Sequence, residues 1–226
     1  MNAAVIGSGG REHAIALSIA SGPSLDKLYI IPGNPGTEGI GINADIPVKP
    51  GNELLAFLRE KQIELVIIGP EQPLVDGLAD YLISAGIYVF GPKAAAARIE
   101  GDKAFSKELM KKYNVPTAAF EVFSKEQKNE ALEYISKSSL PIVIKANGLA
   151  AGKGVLICLT PEEAFEAIEE CFTNKTFGSA GDTVVIEEFM EGEEASVFAI
   201  TDGTDFICLP SAQDHKRIFD NDSGKN

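Results

Sequence analysis

The sequence has 226 residues, 45% of them hydrophobic and 23% charged, the balance of a chain that folds around a core in water. Its 20 Lys plus Arg stand against 33 Asp plus Glu, a net charge of −13. That argues against a broad nucleic-acid face or docking on an anionic membrane, yet a few local cations could still hold a small anion.

Ala3–Gly7, "AVIG" with its preceding alanine, reads as a buried strand, and Glu12–Ser21 as the helix behind it. "KLYIIPG" is a second strand. Asn52–Gln62 is amphipathic, with Leu54, Leu55 and Leu58 on one side. "IELVIIGP" and "IYVFGP" are further strands, separated by one helix in "PLVDGLADYLISAG". Near-continuous apolar strands alternating with helices imply a parallel sheet wrapped by helices. From about Lys93 the helical stretch "KAAAARIEGDKAFSKELMKKYN" is expected to break near Gly101.

Beyond it the pattern changes. "SKEQ" (Ser124–Gln127) and "TPEE" (Thr160–Glu163) look like capping boxes, the second with Pro161 at the first helical position. Each opens a helix flanked by strands: "LPIVIKAN", "GVLICLT", "DTVVIEEFM", "EASVFAITDG" and "DFICLP". Consecutive strands near the end imply hairpins and a mixed or antiparallel sheet. We expect an α/β part over residues 1–101 and an α+β part over 102–226. The chain ends "FDNDSGKN" without a closing helix, as a domain cut short or a flexible tail would.

Cys158, Cys171 and Cys208 lie in apolar segments without Cys-x-x-Cys spacing. They read as core thiols in a reducing compartment, not as a disulfide framework or a zinc site. "MNAAVIGSGG" carries no basic region and no long apolar run, so neither a signal peptide nor a membrane span is expected, and a cytoplasmic location follows.

Two glycine-rich stretches follow strands. "GSGGREHA" (Gly7–Ala14) sets glycines between a strand and a helix N-terminus, where unpaired N–H groups and the helix dipole favour an anion. A dinucleotide fingerprint would need glycine where Glu12 stands, and an acidic residue where the second strand ends in "PGN". A tight turn with no ligand remains open at this point. Arg11 favours an anion, because a guanidinium can grip a phosphate with two hydrogen bonds. His13 reads as a capping or packing residue.

"KANGLAAGKGV" (Lys145–Val155) is not a Walker loop: Gly148 and Gly152 are too close, and Gly154 follows Lys153. Strands flank it on both sides, so it is a hairpin tip. Small residues let backbone close over a ligand, and Lys145 and Lys153 supply positive charge; a bare hairpin with solvated lysines is the alternative. "VVIEEFMEGEEAS" (Val184–Ser196) puts Glu187 and Glu188 directly after a buried strand and more acids around a turn. Such acids are usually solvated, but a strand-end carboxylate can accept from an adenine amine and another can hold ribose hydroxyls.

Taken in order, "AVIGSGGREHAIA", "GNPGT", "GPEQPLVDGLAD", "GDKAFSK", "KANGLAAGKGV", "VVIEEFMEGEEAS" and "PSAQDHKR" resemble the phosphoribosylamine–glycine ligase family of ATP-grasp enzymes over the whole chain. The resemblance implies a Rossmann-like N-terminal domain followed by an ATP-grasp module, incomplete here at its C-terminal end. It implies ATP-dependent joining of glycine to 5-phosphoribosylamine through a glycyl phosphate, with ATP and Mg²⁺ or Mn²⁺ as cofactors. Family members run well beyond this length, so this chain is expected to be inactive alone, with metal ligands beyond Asn226. Lys103, Lys145, Gly148, Gly152, Lys153 and Gly154 would hold the ATP phosphates. Glu187, Glu188 and the backbone near Met190 would form the adenine hinge, and Glu194 would take the ribose. Gly9, Gly10, Arg11, Asn34, Pro35, Gly36, Thr37 and Glu71 would face phosphoribosylamine. Asp214 would meet the glycine ammonium, with Lys216 and Arg217 toward anionic groups; Lys145, Asp214 and Arg217 would be the catalytic set. Small-molecule substrates, no nucleic acid, no membrane and a monomer are expected. Another ATP-grasp carboxylate–amine ligase, or a non-catalytic nucleotide-binding module, is the alternative.

Overall fold

The computed structural model describes residues 1–149, 154–213 and 219–220. They fall into two compact units, Met1–Phe189 and Met190–Asn226.

The first unit opens with strand β1 (Asn2–Gly7), helix α1 (Gly10–Ala20), β2 (Lys27–Pro32) and the short β3 (Ile42–Asn43). Then come α2 (Asn52–Glu60), β4 (Ile63–Ile68), α3 (Glu71–Val75), α4 (Leu78–Ser84) and β5 (Tyr88–Phe90). The five strands form one parallel sheet in the order β3-β2-β1-β4-β5. The apolar runs are continuous because both sheet faces are covered. Ala4, Ile6, Tyr29, Ile31, Val66 and Ile68 pack with Leu54, Leu58, Leu78 and Leu82 on one side, while Ala3, Val5, Leu28, Ile30 and Ile67 pack with Ala16 on the other. Strand order reverses at β1, so a crevice opens beyond the C-terminal ends of β1 and β4, the usual seat of a ligand in such sheets.

The single helix expected over "PLVDGLADYLISAG" is two. Gly77 adopts φ of +83° and ends α3, and Asp76 N–H donates to the Gln72 carbonyl. A left-handed residue cannot continue a helix, and glycine takes that conformation without a Cβ penalty.

The break near Gly101 is present. Helix α5 (Ala94–Gly101) gives way to α6 (Lys103–Lys112), with Asp102 as the N-cap accepting from Phe105 N–H at 2.9 Å. Next come β6 (Phe120–Ser124), α7 (Lys128–Lys137), β7 (Ile142–Ala146), β8 (Val155–Cys158), α8 (Pro161–Phe172) and β9 (Thr183–Glu188). The sheet order is β6-β9-β7-β8, antiparallel throughout. Strand β6 was not anticipated from the sequence: Phe120–Ser124 is short, and it is recognisable as a strand through its pairing with β9. Both capping expectations hold in substance. Ser124 N–H donates to Gln127 Oε1, and Thr160 Oγ1 accepts from Glu163 N–H. The Glu163 carboxylate instead takes Leu159 N–H, one residue further out.

Side chains alternate across this second sheet. Ile142, Ile144, Ala146, Val184 and Ile186 pack beneath α7 and α8 against Ala131, Ile135, Ala164, Ile168 and Cys171. Val143, Lys145, Val185 and Glu187 occupy the opposite face.

The second unit contains a short antiparallel hairpin, β10 (Ala199–Thr201) with β11 (Phe206–Cys208). Its turn is held by Asp202 Oδ1 accepting from Thr204 and Asp205 N–H. The core reading holds for Cys158 and Cys171, which are buried, but Cys208 is exposed along with all of β11. An apolar strand pattern marks a face able to be covered; it does not supply the cover. No helix among the described residues is long and apolar enough to cross a membrane.

Candidate active site

Two clusters of the expected residues form in the first unit. The first lies at the crevice of the parallel sheet. Gly9 N-caps α1 and Gly10 is its first residue. Asn34 caps the turn Pro35–Thr37: its Oδ1 accepts from Gly36 and Thr37 N–H, and its Nδ2 donates to the Ser8 carbonyl at 2.9 Å. This ties the loop after β2 to the loop after β1. His13 packs against Gly36, where a Cβ would come within 2.7 Å of the His13 ring. Arg11 bridges two carboxylates, Nη1 to Glu71 Oε1 at 2.7 Å and Nε to Glu12 Oε1 at 2.9 Å. Those partners, Glu71 first, push the guanidinium pKa up, and Arg11 in turn holds the Glu71 carboxyl below its usual range.

Glu12, noted in the sequence only as a misfit to the dinucleotide pattern, fills the crevice itself. It is buried, and its Oε2 accepts from Gly9 N–H at 2.8 Å. A Cβ on Gly7 or Gly69 would stand 2.3 or 2.4 Å from Glu12 Cγ. The carboxylate thus takes the helix N-terminal N–H that a dinucleotide pyrophosphate would need. The glycines here make room for a side chain.

The second cluster lies on the face of the antiparallel sheet turned away from α7 and α8. Strands β7 and β8 pair from Ile142↔Cys158 to Lys145↔Val155, so "KANGLAAGKGV" is a hairpin connection as expected. Lys145 pairs with Val185 and Val143 with Glu187, which sets Lys145 and Glu187 diagonally on one face. Their Nζ–Oε2 distance is 2.9 Å. Lys103, in the first turn of α6, donates to the Gly148 carbonyl at 2.5 Å. Burial lowers its pKa, Lys145 adds to that, and Glu100 and Glu187 oppose it. Gly148 has φ of +88°, so a side chain there would strain the turn. Gly154 is buried at the foot of β8, its carbonyl accepting from Ala146 N–H. Ile99, Glu100, Ser106 and Val155 join these charged groups around a cavity of about 240 Å³.

Three participants were missed in the sequence. Asn147 Oδ1 accepts from Ala104 N–H at 3.0 Å, fastening the hairpin to the start of α6. Asp102 caps α6 and binds Arg98. Lys107, one turn after Lys103, has its Nζ 2.9 Å from the same Glu187 oxygen that Lys145 uses. Its only sequence signal is the i,i+4 spacing to Lys103, which exposed helix faces also show. Glu187 is 4% exposed, and its Oε1 is buried without a hydrogen-bond partner. Glu188 turns elsewhere and accepts from Ala119 N–H at 3.0 Å. Met190 and Glu194 belong to the second unit and are exposed. Gly152, Lys153, Asp214, Lys216 and Arg217 lie outside the described residues. Among the described residues no cluster of three or more His, Cys, Asp or Glu is arranged for a metal ion.

A parallel sheet with a ligand crevice, followed by an antiparallel sheet whose lysine-flanked hairpin borders a charged cavity, defines the ATP-grasp class. The chain belongs to the phosphoribosylglycinamide synthetase family: that family's N domain matches residues 1–100 and its ATP-grasp (A) domain residues 101–226. It is 51% identical to the phosphoribosylamine–glycine ligase of Brucella melitensis, over all of this chain and 52% of that protein. The crystal structure of phosphoribosylamine–glycine ligase from Thermotoga maritima aligns over the whole chain and 53% of its own, with a TM-score of 0.81 at 36% identity. The fold extends to the biotin carboxylase domain of a Hydrogenobacter thermophilus 2-oxoglutarate carboxylase, solved with MgADP and bicarbonate. There the TM-score is 0.70 at 18% identity, over 97% of this chain and 51% of that one. The chain spans about half the length of the curated relatives it matches.

Proposed function

We propose that this chain is part of an enzyme that joins glycine to 5-phosphoribosylamine at the expense of ATP, giving glycinamide ribonucleotide, ADP and phosphate in purine biosynthesis. Residues 1–101 would receive the phosphoribosylamine, and residues 102–226 would contribute to the ATP site. The reaction would take place in the cytoplasm. The observation that carries the reading is the convergence of Lys103 and Lys145 on one cavity beside a buried carboxylate with an unused oxygen.

The chemistry suits that arrangement. A carboxylate is a poor electrophile at neutral pH. Transfer of the ATP γ-phosphoryl group to the glycine carboxylate gives an acyl phosphate and ADP. The phosphoribosylamine nitrogen attacks the acyl carbon, phosphate leaves, and the nitrogen gives up a proton. No enzyme nucleophile is needed. The lysine ammoniums would neutralise phosphate charge, and alignment of the reactants would supply the rest. Glu187 would accept from the adenine amine, and the hairpin of residues 145–155 would cover the phosphates. Gly9, Gly10, Arg11, the Asn34–Thr37 turn and Glu71 would contact phosphoribosylamine, with Arg11 leaving Glu71 to meet the phosphate. Asp214 would meet the glycine ammonium, with Lys216 and Arg217 toward anionic groups, and the backbone near Met190 and Glu194 would lie on the nucleotide side. Mg²⁺ or Mn²⁺ would accompany ATP, with protein ligands outside the described residues.

The test is ATP hydrolysis by the full-length protein. Phosphate release is expected only with glycine and phosphoribosylamine both present. Release driven equally well by bicarbonate or another amino acid would point to a different ATP-grasp ligase.

A further inference from the structure

We propose that Lys107 is a positioning residue: it neutralises Glu187, and so leaves the Lys145 ammonium free to meet a phosphate. The inference rests on the reading of this cavity as the nucleotide site.

Both ammoniums lie 2.9 Å from Glu187 Oε2, but they are not held alike. Lys107 is enclosed, with its side chain 11% exposed against 28% for Lys145. It also donates to Thr117 Oγ1 at 2.6 Å and lies 5.6 Å from the Phe120 ring centroid. Among the described residues Lys145 donates to Glu187, and its head borders the cavity. Lys107 is therefore the fixed counter-charge and Lys145 the movable one.

Electrostatics gives this division a purpose. A carboxylate as buried as Glu187 with only one lysine beside it would form a tight pair, and that pair would cancel the charge the phosphates need. A second lysine on the same oxygen leaves a net positive charge on the trio. It also weakens the hold on Lys145, because two cations compete for one acceptor. Across the cavity the balance is three lysines against Glu100 and Glu187. Without Lys107 the local charge falls to zero, although neither Lys103 nor Lys145 has been touched. Lys107 thus acts through Lys145 and need not contact nucleotide.

The experiment measures ATP and adenosine affinity by calorimetry in the full-length protein, for the wild type, Lys145→Ala, Lys107→Met and the charge-keeping Lys107→Arg. Lys107→Met should weaken ATP by roughly tenfold or more, the scale of one charged hydrogen bond, while leaving adenosine within about threefold. Lys107→Arg keeps the counter-charge and should retain most of the ATP affinity. Unchanged ATP affinity in Lys107→Met, equal losses for ATP and adenosine, or Lys107→Arg no better than Lys107→Met would overturn the inference. If Lys107→Met fails to fold, Lys107→Gln takes its place: a loss confined to ATP supports the role, and ATP affinity near wild type overturns it. A wild type that binds no ATP, or a Lys145→Ala variant that binds it normally, overturns the underlying site assignment as well.

Discussion

At the scale of single residues, charge is placed with its consequences visible. Lys145 borders the charged cavity, whereas the family resemblance implies that Lys216 serves anionic groups in the substrate pocket. Lys145→Ala should therefore weaken ATP binding by roughly tenfold or more, as expected for loss of one charged contact, and Lys216→Ala by clearly less. Equal affinities in calorimetry would contradict the assignment of the phosphate side. Arg11 and Glu71 give a pH-dependent test. The Arg11 hydrogen bond lowers the Glu71 pKa from its ordinary 4.5, so the pair's contribution is present above that value and is lost as pH falls through the lower folded-state pKa. Both groups are half exposed, so the gain is small, about 0.2–1 kcal/mol. The difference in Tm between wild type and Glu71→Gln should thus be seen near neutrality and vanish in acid. A difference that persists or grows in acid would assign it to packing.

At the scale of elements, the junction between α5 and α6 does the most to arrange the site. Asp102 ends one helix and caps the next, and Lys103 follows it directly. Burial pushes the Asp102 pKa up, but the Phe105 N–H, Arg98 and Asn147 outweigh it and hold the carboxyl below its usual value. Asp102→Ala removes the cap and should cost about 1 kcal/mol of stability, a typical cap loss, read by chemical denaturation. It should also weaken ATP binding through Lys103; stability and affinity both unchanged would show the cap to be idle. The sequence made this junction legible because Gly101 interrupts a helical run. It made the hairpin legible because apolar runs flank "KANGLAAGKGV". It hid the division of α3 from α4, since Asp76-Gly77 sits inside a pattern that helix periodicity carries straight through. It hid β6 as well, since an edge strand of five residues shows itself only through the partner it pairs with.

At the scale of the whole molecule, the two glycine stretches that look alike in sequence part company. The first is packed by the Glu12 carboxylate at the end of the parallel sheet; the second joins two antiparallel strands beside a cluster of lysines. Which cations share Glu187 depends on pairings between residues far apart in the chain, so the Lys107–Glu187–Lys145 arrangement had no signature in spacing. The expectations for Gly152, Lys153, Asp214, Lys216 and Arg217 fall outside the described residues. The central claim is that the triphosphate of ATP sits against Lys103 and Lys145, beneath the hairpin that joins β7 to β8. A crystal structure of the full-length protein with a non-hydrolysable ATP analogue tests it most directly. The account predicts phosphate oxygens within hydrogen-bond distance of both Nζ atoms; nucleotide bound at the Gly7–Arg11 turn, with both lysines left in their present contacts, would contradict it.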